Sequence, residues 1–179
     1  MSENRIDPTV TGLFLVGFIT LVFGLIGILG YAEADGADNL TAAVIVALPA
    51  LAVIFTVLAV SAIRIGNTFA APLFAFVAVA LYGAMAGLTT FAAYLFYVLA
   101  IVFILFAIVA FIVGAPKLLA ILLIFVALLY LFVGVFIGVA LAGNDPLIYA
   151  LLFGIFGVLA AAVALYMSFA LSTQKLPVF

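Results

Sequence analysis

LLAILLIFVALLYLFVGVFIGVALA, residues 118–142, runs without one charged side chain between Lys117 on one side and Gly143-Asn144-Asp145 on the other. A stretch of that length and character matches the ~20 apolar residues that a helix needs to cross ~30 Å of hydrocarbon. Five further stretches read the same way, at roughly 10–31, 41–63, 69–88, 91–113 and 147–171. The chain therefore reads as an all-α polytopic membrane protein of six transmembrane helices, with 1–179 forming one bundle and no room for a soluble domain. Composition agrees independently. With 73% hydrophobic residues, 6% charged residues and a mean hydropathy of +1.72, the chain could not stay dispersed as a soluble domain, and the lipid bilayer is its expected solvent and partner.

Charge fixes an expected orientation. Threading six spans back and forth puts Arg5, Arg64, Lys117 and Lys175 in one compartment, and Glu33, Asp35, Asp38 and Asp145 in the other. By the positive-inside rule the basic side is the cytoplasm, so both termini are expected there, in a multi-pass protein of the cell membrane. The start, Met1-Ser2-Glu3-Asn4-Arg5, lacks a basic n-region, and span 1 is expected to be a retained helix rather than a signal peptide.

Several function classes are excluded by what the chain lacks. It has no Cys and no His, so disulfides, thiolate chemistry, haem ligation and most metal sites are ruled out and no cofactor is expected. No Asp, Glu, Lys or Arg lies inside a span, where a charge costs at least ~2.5–3.5 kcal/mol and is kept mainly for function. An internal carboxylate proton relay is thereby excluded. The absence of a nucleophile–base pair or a phosphate-binding loop argues against an enzyme. Four basic residues, spread along the chain, argue for no nucleic-acid partner.

Small residues and prolines carry the remaining signal. Gly24, Gly27 and Gly30 in span 1, and the pairs Gly83/Gly87 and Gly134/Gly138, are expected where helices approach closely, either within the chain or at an oligomer seam. Pro49 predicts a kink in span 2, and Pro72, just after Gly66-Asn67-Thr68-Phe69, predicts irregular backbone at the start of span 3. Irregular backbone at membrane depth survives where it is buried or lines a wet cavity, which makes this segment a candidate pore entrance. Asn67 or Thr68 could cap span 3, and the helix amino terminus together with Arg64 would attract a carboxylate; the alternative is a plain capped turn. Gly143-Asn144 between spans 5 and 6 matches Gly66-Asn67 between spans 2 and 3, as an inverted three-plus-three repeat would.

The chain resembles the acetate uptake transporter family, the succinate-acetate permeases. Gly66-Asn67-Thr68-Phe69 followed by Phe74 looks like that family's GNTF signature opening its third helix, and Asp7-Pro8 with Gly12-Leu13 is similar to its amino-terminal NPAPLGL motif. Tyr94-Leu95, Ala164-Leu165-Tyr166 and Leu176-Pro177 add weaker likeness. The resemblance implies a six-helix protomer in a homohexamer, each protomer with its own path for acetate or another short carboxylate. It places the path at Asn67, Thr68, Phe69 and Phe74, with Pro8, Gly12 and Arg64 at the entrance. The family narrows its path with a Phe, a Tyr and a Leu on helices 1, 3 and 5; counting without gaps puts these at Val16, Val77 and Phe125, so none of the three is kept. Phe18 and Phe76 lie near enough that a shifted register would restore bulk, but the Tyr is missing in either register.

Together these readings predict a membrane channel or transporter for acetate or another short monocarboxylate, the proton travelling on the substrate or on water because no buried acid can shuttle it. The alternatives are a six-helix membrane protein with a structural or stress-related role, or a channel for another small neutral solute. A continuous cavity reaching Asn67 would favour transport, and an unbroken apolar plug would favour the structural role.

Overall fold

The computed structural model describes residues 8–32, 37–67 and 69–173. Arg5, Asp7, Glu33, Asp35, Thr68 and Lys175 fall outside the described residues, and so do the expectations attached to them. Six helices follow one another, α1 (Pro8–Tyr31), α2 (Ala37–Arg64), α3 (Ala70–Met85), α4 (Thr90–Ile112), α5 (Lys117–Leu141) and α6 (Leu147–Thr173). No strand occurs among the described residues. Five of the helices are long and apolar enough to cross a membrane. The exception is α3, which with 16 residues is shorter than the expected span and reaches about 24 Å at 1.5 Å per residue.

Local chemistry sets these boundaries. Gly66 and Gly143 take φ of 75° and 72°, a region closed to most side chains, and each ends its helix in a Schellman turn. In the first the Asn67 N–H donates to Ala62 O at 2.9 Å, and in the second the Asn144 N–H donates to Val139 O at 3.1 Å. Gly114-Ala115 ends α4 in the same way, with the Ala115 N–H donating to Ala110 O at 2.9 Å. The matching Gly-Asn pairs thus have a local explanation in helix termination, one that a third connection shares without an Asn. Helix starts are equally explicit: Thr89 Oγ1 accepts from the Ala92 N–H (3.2 Å), and Asp145 Oδ1 accepts from the Leu147 N–H (2.9 Å).

Pro72 does not disturb α3. The helix is regular from Ala70, and Pro72 lies in its first turn, where a missing N–H leaves no intrahelical bond unmade. Helix α2 likewise continues through Pro49.

Each helix packs on its neighbours in the chain and α6 returns to α1, closing a ring of six. The most extensive contact is α1 on α6, made possible by glycines on both sides. A Cβ at Gly157 would lie 2.8 Å from Thr20 O and Gly24 Cα, and one at Gly24 would lie 2.8 Å from the Val158 N. The backbones therefore touch, and dispersion plus the Ser168 Oγ bond to Val10 O (3.0 Å) join the two helices. Outward faces are apolar: Val98, Ile101, Leu105, Ile108 and Ile112 on α4 are all exposed, as a lipid-facing surface requires.

The paired glycines of α3 and α5 are used inside the chain. Gly83 receives the Leu95 side chain of α4, whereas Gly87, at φ 64°, belongs to the turn that ends α3. Gly134 and Gly138 receive the Tyr97 ring, whose Cε1 lies 2.9 Å from a Cβ at Gly134. Of the two placements expected for these glycines, within the chain or at an oligomer seam, Gly83 and Gly134 take the first: both notches are filled by α4.

Candidate functional site

Three helices turn one stripe each toward the ring interior, at the i, i+3/i+4 spacing that keeps residues on one helical face. On α1 the stripe is Gly12, Val16, Thr20 and Phe23; on α3 it is Phe74, Val77, Leu81 and Ala84; on α5 it is Val126, Tyr130 and Val133. Above Gly12 and Phe74 these residues, with Phe96 of α4, line a cavity of about 40 Å³. Taking roughly 10–15 Å³ of such space per water-sized body, it holds about three.

At the end of the bundle carrying Thr41 and Gly87 the cavity gives way to a vestibule of about 240 Å³. Cavity and vestibule share Phe23, Ala84, Phe96 and Val133, which form the step between them. Toward the opposite end the cavity stops. Phe74, fully buried, lays its ring on Gly12 and meets Phe55 of α2 at a centroid distance of 6.0 Å. Leu13, Leu122 and Leu123 are also fully buried and add to the apolar core.

Asn67 lies beyond that layer. Its Nδ2 donates to Thr9 Oγ1 at 3.0 Å, and its Oδ1 accepts from the Ala70 N–H at 3.0 Å. Its carboxamide therefore caps α3 and pins the start of α1 to it, the plain capped turn that the sequence offered as an alternative. Asn67 does not border the cavity. Pro8 is buried in the first turn of α1, next to that bond, and Arg64 is exposed in the last turn of α2, where its charge complements the helix dipole. Phe69 turns away to meet Phe106 of α4 edge-on at 5.8 Å.

Of the three positions expected at the neck, Val16 and Val77 line the cavity together. Phe125 does not: it packs against Phe156 of α6 at 6.4 Å, and the next residue, Val126, faces inward instead. Phe125 and Val126 are successive residues of α5, and one residue on a helix turns the side chain by about 100°.

Thr20 and Tyr130, which were not among the residues expected on the path, also line the cavity. The Thr20 hydroxyl donates back to its own helix, 2.8 Å from Val16 O and 3.2 Å from Gly17 O, leaving its lone pairs to the cavity. Tyr130 is nine-tenths buried, its ring held between Phe96 (5.7 Å) and Phe103 (5.3 Å). A signal existed: Tyr130 lies near the middle of α5, far from the interfacial levels where tyrosines ordinarily anchor. No group of three or more metal-ligating side chains occurs among the described residues.

The fold defines a class, a multi-pass helical membrane protein with a small apolar cavity inside its helix ring. Comparison with family models, with characterised proteins and with solved structures found no match.

Proposed function

We propose that the chain is a membrane channel or transporter for acetate or another short monocarboxylate, which moves through the helix ring in its undissociated form. The observation that carries this reading is the cavity lined by Val16 and Val77, the positions that the likeness to acetate uptake transporters assigns to the neck. Its volume suits a solute of a few heavy atoms and not a dicarboxylate. Its walls hold no charge, so an anion would enter without a counter-ion, at a desolvation cost that the neutral acid avoids. The layer at Phe74 and Gly12 is the closed gate of this path. The expected assembly is a homohexamer in the cell membrane, tested by native mass in mild detergent.

The closed layer also favours a second reading, a six-helix protein with a structural or stress-related role and no path. Flux of labelled acetate into liposomes containing the purified protein separates the two. Uptake above that of protein-free liposomes, reduced at neutral pH and blocked by filling the cavity, supports transport. Uptake no faster than through bare lipid overturns the acetate path.

A further inference from the structure

The Tyr130 hydroxyl has no hydrogen-bond partner among the described residues, although the residue is nine-tenths buried. No buried side-chain oxygen or nitrogen among the described residues is both sealed from solvent-sized space and unpaired. The phenolic oxygen therefore keeps accessible surface, and the space this side chain borders is the cavity. A hydroxyl that keeps accessible surface and has no protein partner is free to donate to whatever occupies that space, and the rings of Phe96 and Phe103 hold the Tyr130 ring in place.

The second polar side chain of the cavity is complementary. Thr20 spends its proton on the Val16 and Gly17 carbonyls, so toward the cavity it can only accept. The space therefore offers one free donor, Tyr130, and one acceptor, Thr20, between apolar walls of Val16, Val77 and Val126.

We infer that Tyr130 and Thr20 form a recognition site for the undissociated carboxyl group of a short acid, Tyr130 donating to the carbonyl oxygen and Thr20 accepting from the acid O–H. This assignment rests on the proposed carboxylic-acid specificity and gives it a molecular basis. A carboxylate has two acceptors and no donor, so it would set an oxygen against the Thr20 lone pairs and lose half of the match. The apolar remainder of the solute lies against the valines, which limits its length.

The test uses the full chain in nanodiscs and acetic acid as the probe, with saturation transfer to its methyl group as the binding readout and empty nanodiscs as the background. Below the acid's pKa the wild type binds, and above it the apparent affinity falls at least tenfold. Tyr130→Phe weakens binding about 2- to 12-fold, the range expected for one net hydrogen bond. Thr20→Val does the same, while Thr20→Ser, which retains the acceptor, restores affinity. No binding by the wild type below the acid's pKa, equal binding of acid and anion, or unchanged affinity in folded Tyr130→Phe would each overturn the assignment. Binding with these dependences but without liposome flux keeps the recognition site and removes the path. Flux with no dependence on Tyr130 or Thr20 keeps the path and removes the site.

Discussion

The ring of Phe74 on α3 occupies the notch that Gly12 leaves in α1, so a Cβ at position 12 would strike the tip of the ring. With Phe55 against the same ring at a centroid distance of 6.0 Å, the pair closes the ring interior below Val16 and Val77. A side chain at position 12 must displace Phe74, and the two residues should be strongly coupled. Gly12→Ala is expected to lower thermal stability by about 1–3 kcal/mol, as overpacking does. Combining it with Phe74→Leu should recover part of the loss, a coupling of about 0.5–3 kcal/mol in a double-mutant cycle. Strictly additive effects on unfolding in detergent would show that the Phe74 ring does not seat on Gly12.

Removing the ring should open the closed end of the cavity. Phe74→Ala is expected to raise the rate of acetate uptake into liposomes and to admit propionate, while lowering the unfolding temperature because a fully buried side chain is lost. Folded, inserted Phe74→Ala with wild-type flux would place the barrier elsewhere.

Cavity-lining and outward-packed residues should separate cleanly. Val77→Phe fills space inside a cavity of about 40 Å³ and is expected to abolish uptake. Phe125→Ala removes a contact with Phe156 outside the cavity, so it should cost stability without changing which acids pass. A shift in acid selectivity in Phe125→Ala would return that residue to the path.

The contact between α1 and α6 makes a prediction independent of function. Gly157→Ala would press a methyl group on the Thr20 carbonyl and the Gly24 Cα, both 2.8 Å away and both backbone, which cannot rotate aside. It should destabilise the protein by about 1–3 kcal/mol or more. Gly30→Ala, with nothing within 4 Å of the new methyl, should be neutral or slightly stabilising through helix propensity. Thermal unfolding of the two variants in one detergent makes the comparison, and equal midpoints would contradict the seam.

The orientation expected from charge can be tested directly. The chain has no Cys, so single cysteines introduced at Arg64, Lys117 and Asn144 are unambiguous reporters. An impermeant thiol reagent applied to intact cells should label position 144 and spare 64 and 117. Labelling at 117 would overturn the alternating thread.

Helix number and placement were legible in the sequence because the bilayer imposes them. Inside hydrocarbon every backbone group must bond within its own helix, so apolar length alone marks a span, and Gly66, Gly114 and Gly143 mark where spans end. The facing of each helix was not legible. A helix such as α5 is apolar on every side, so no polar face distinguishes lipid from interior, and gap-free counting could not tell Phe125 from Val126. Residues distant in sequence decided it: α1 and α6 approach through glycines some 130 positions apart, such as Gly24 and Gly157, and the rotations that this contact allows leave Tyr130 and Thr20 facing one shared space. The sequence by itself determined that the chain has the apolar spans of a membrane protein, with no charge inside them; only the packing of the ring decided that Thr20 and Tyr130 line one cavity, because direct backbone contact and side-chain shape, not polarity, fix helix rotation in a membrane.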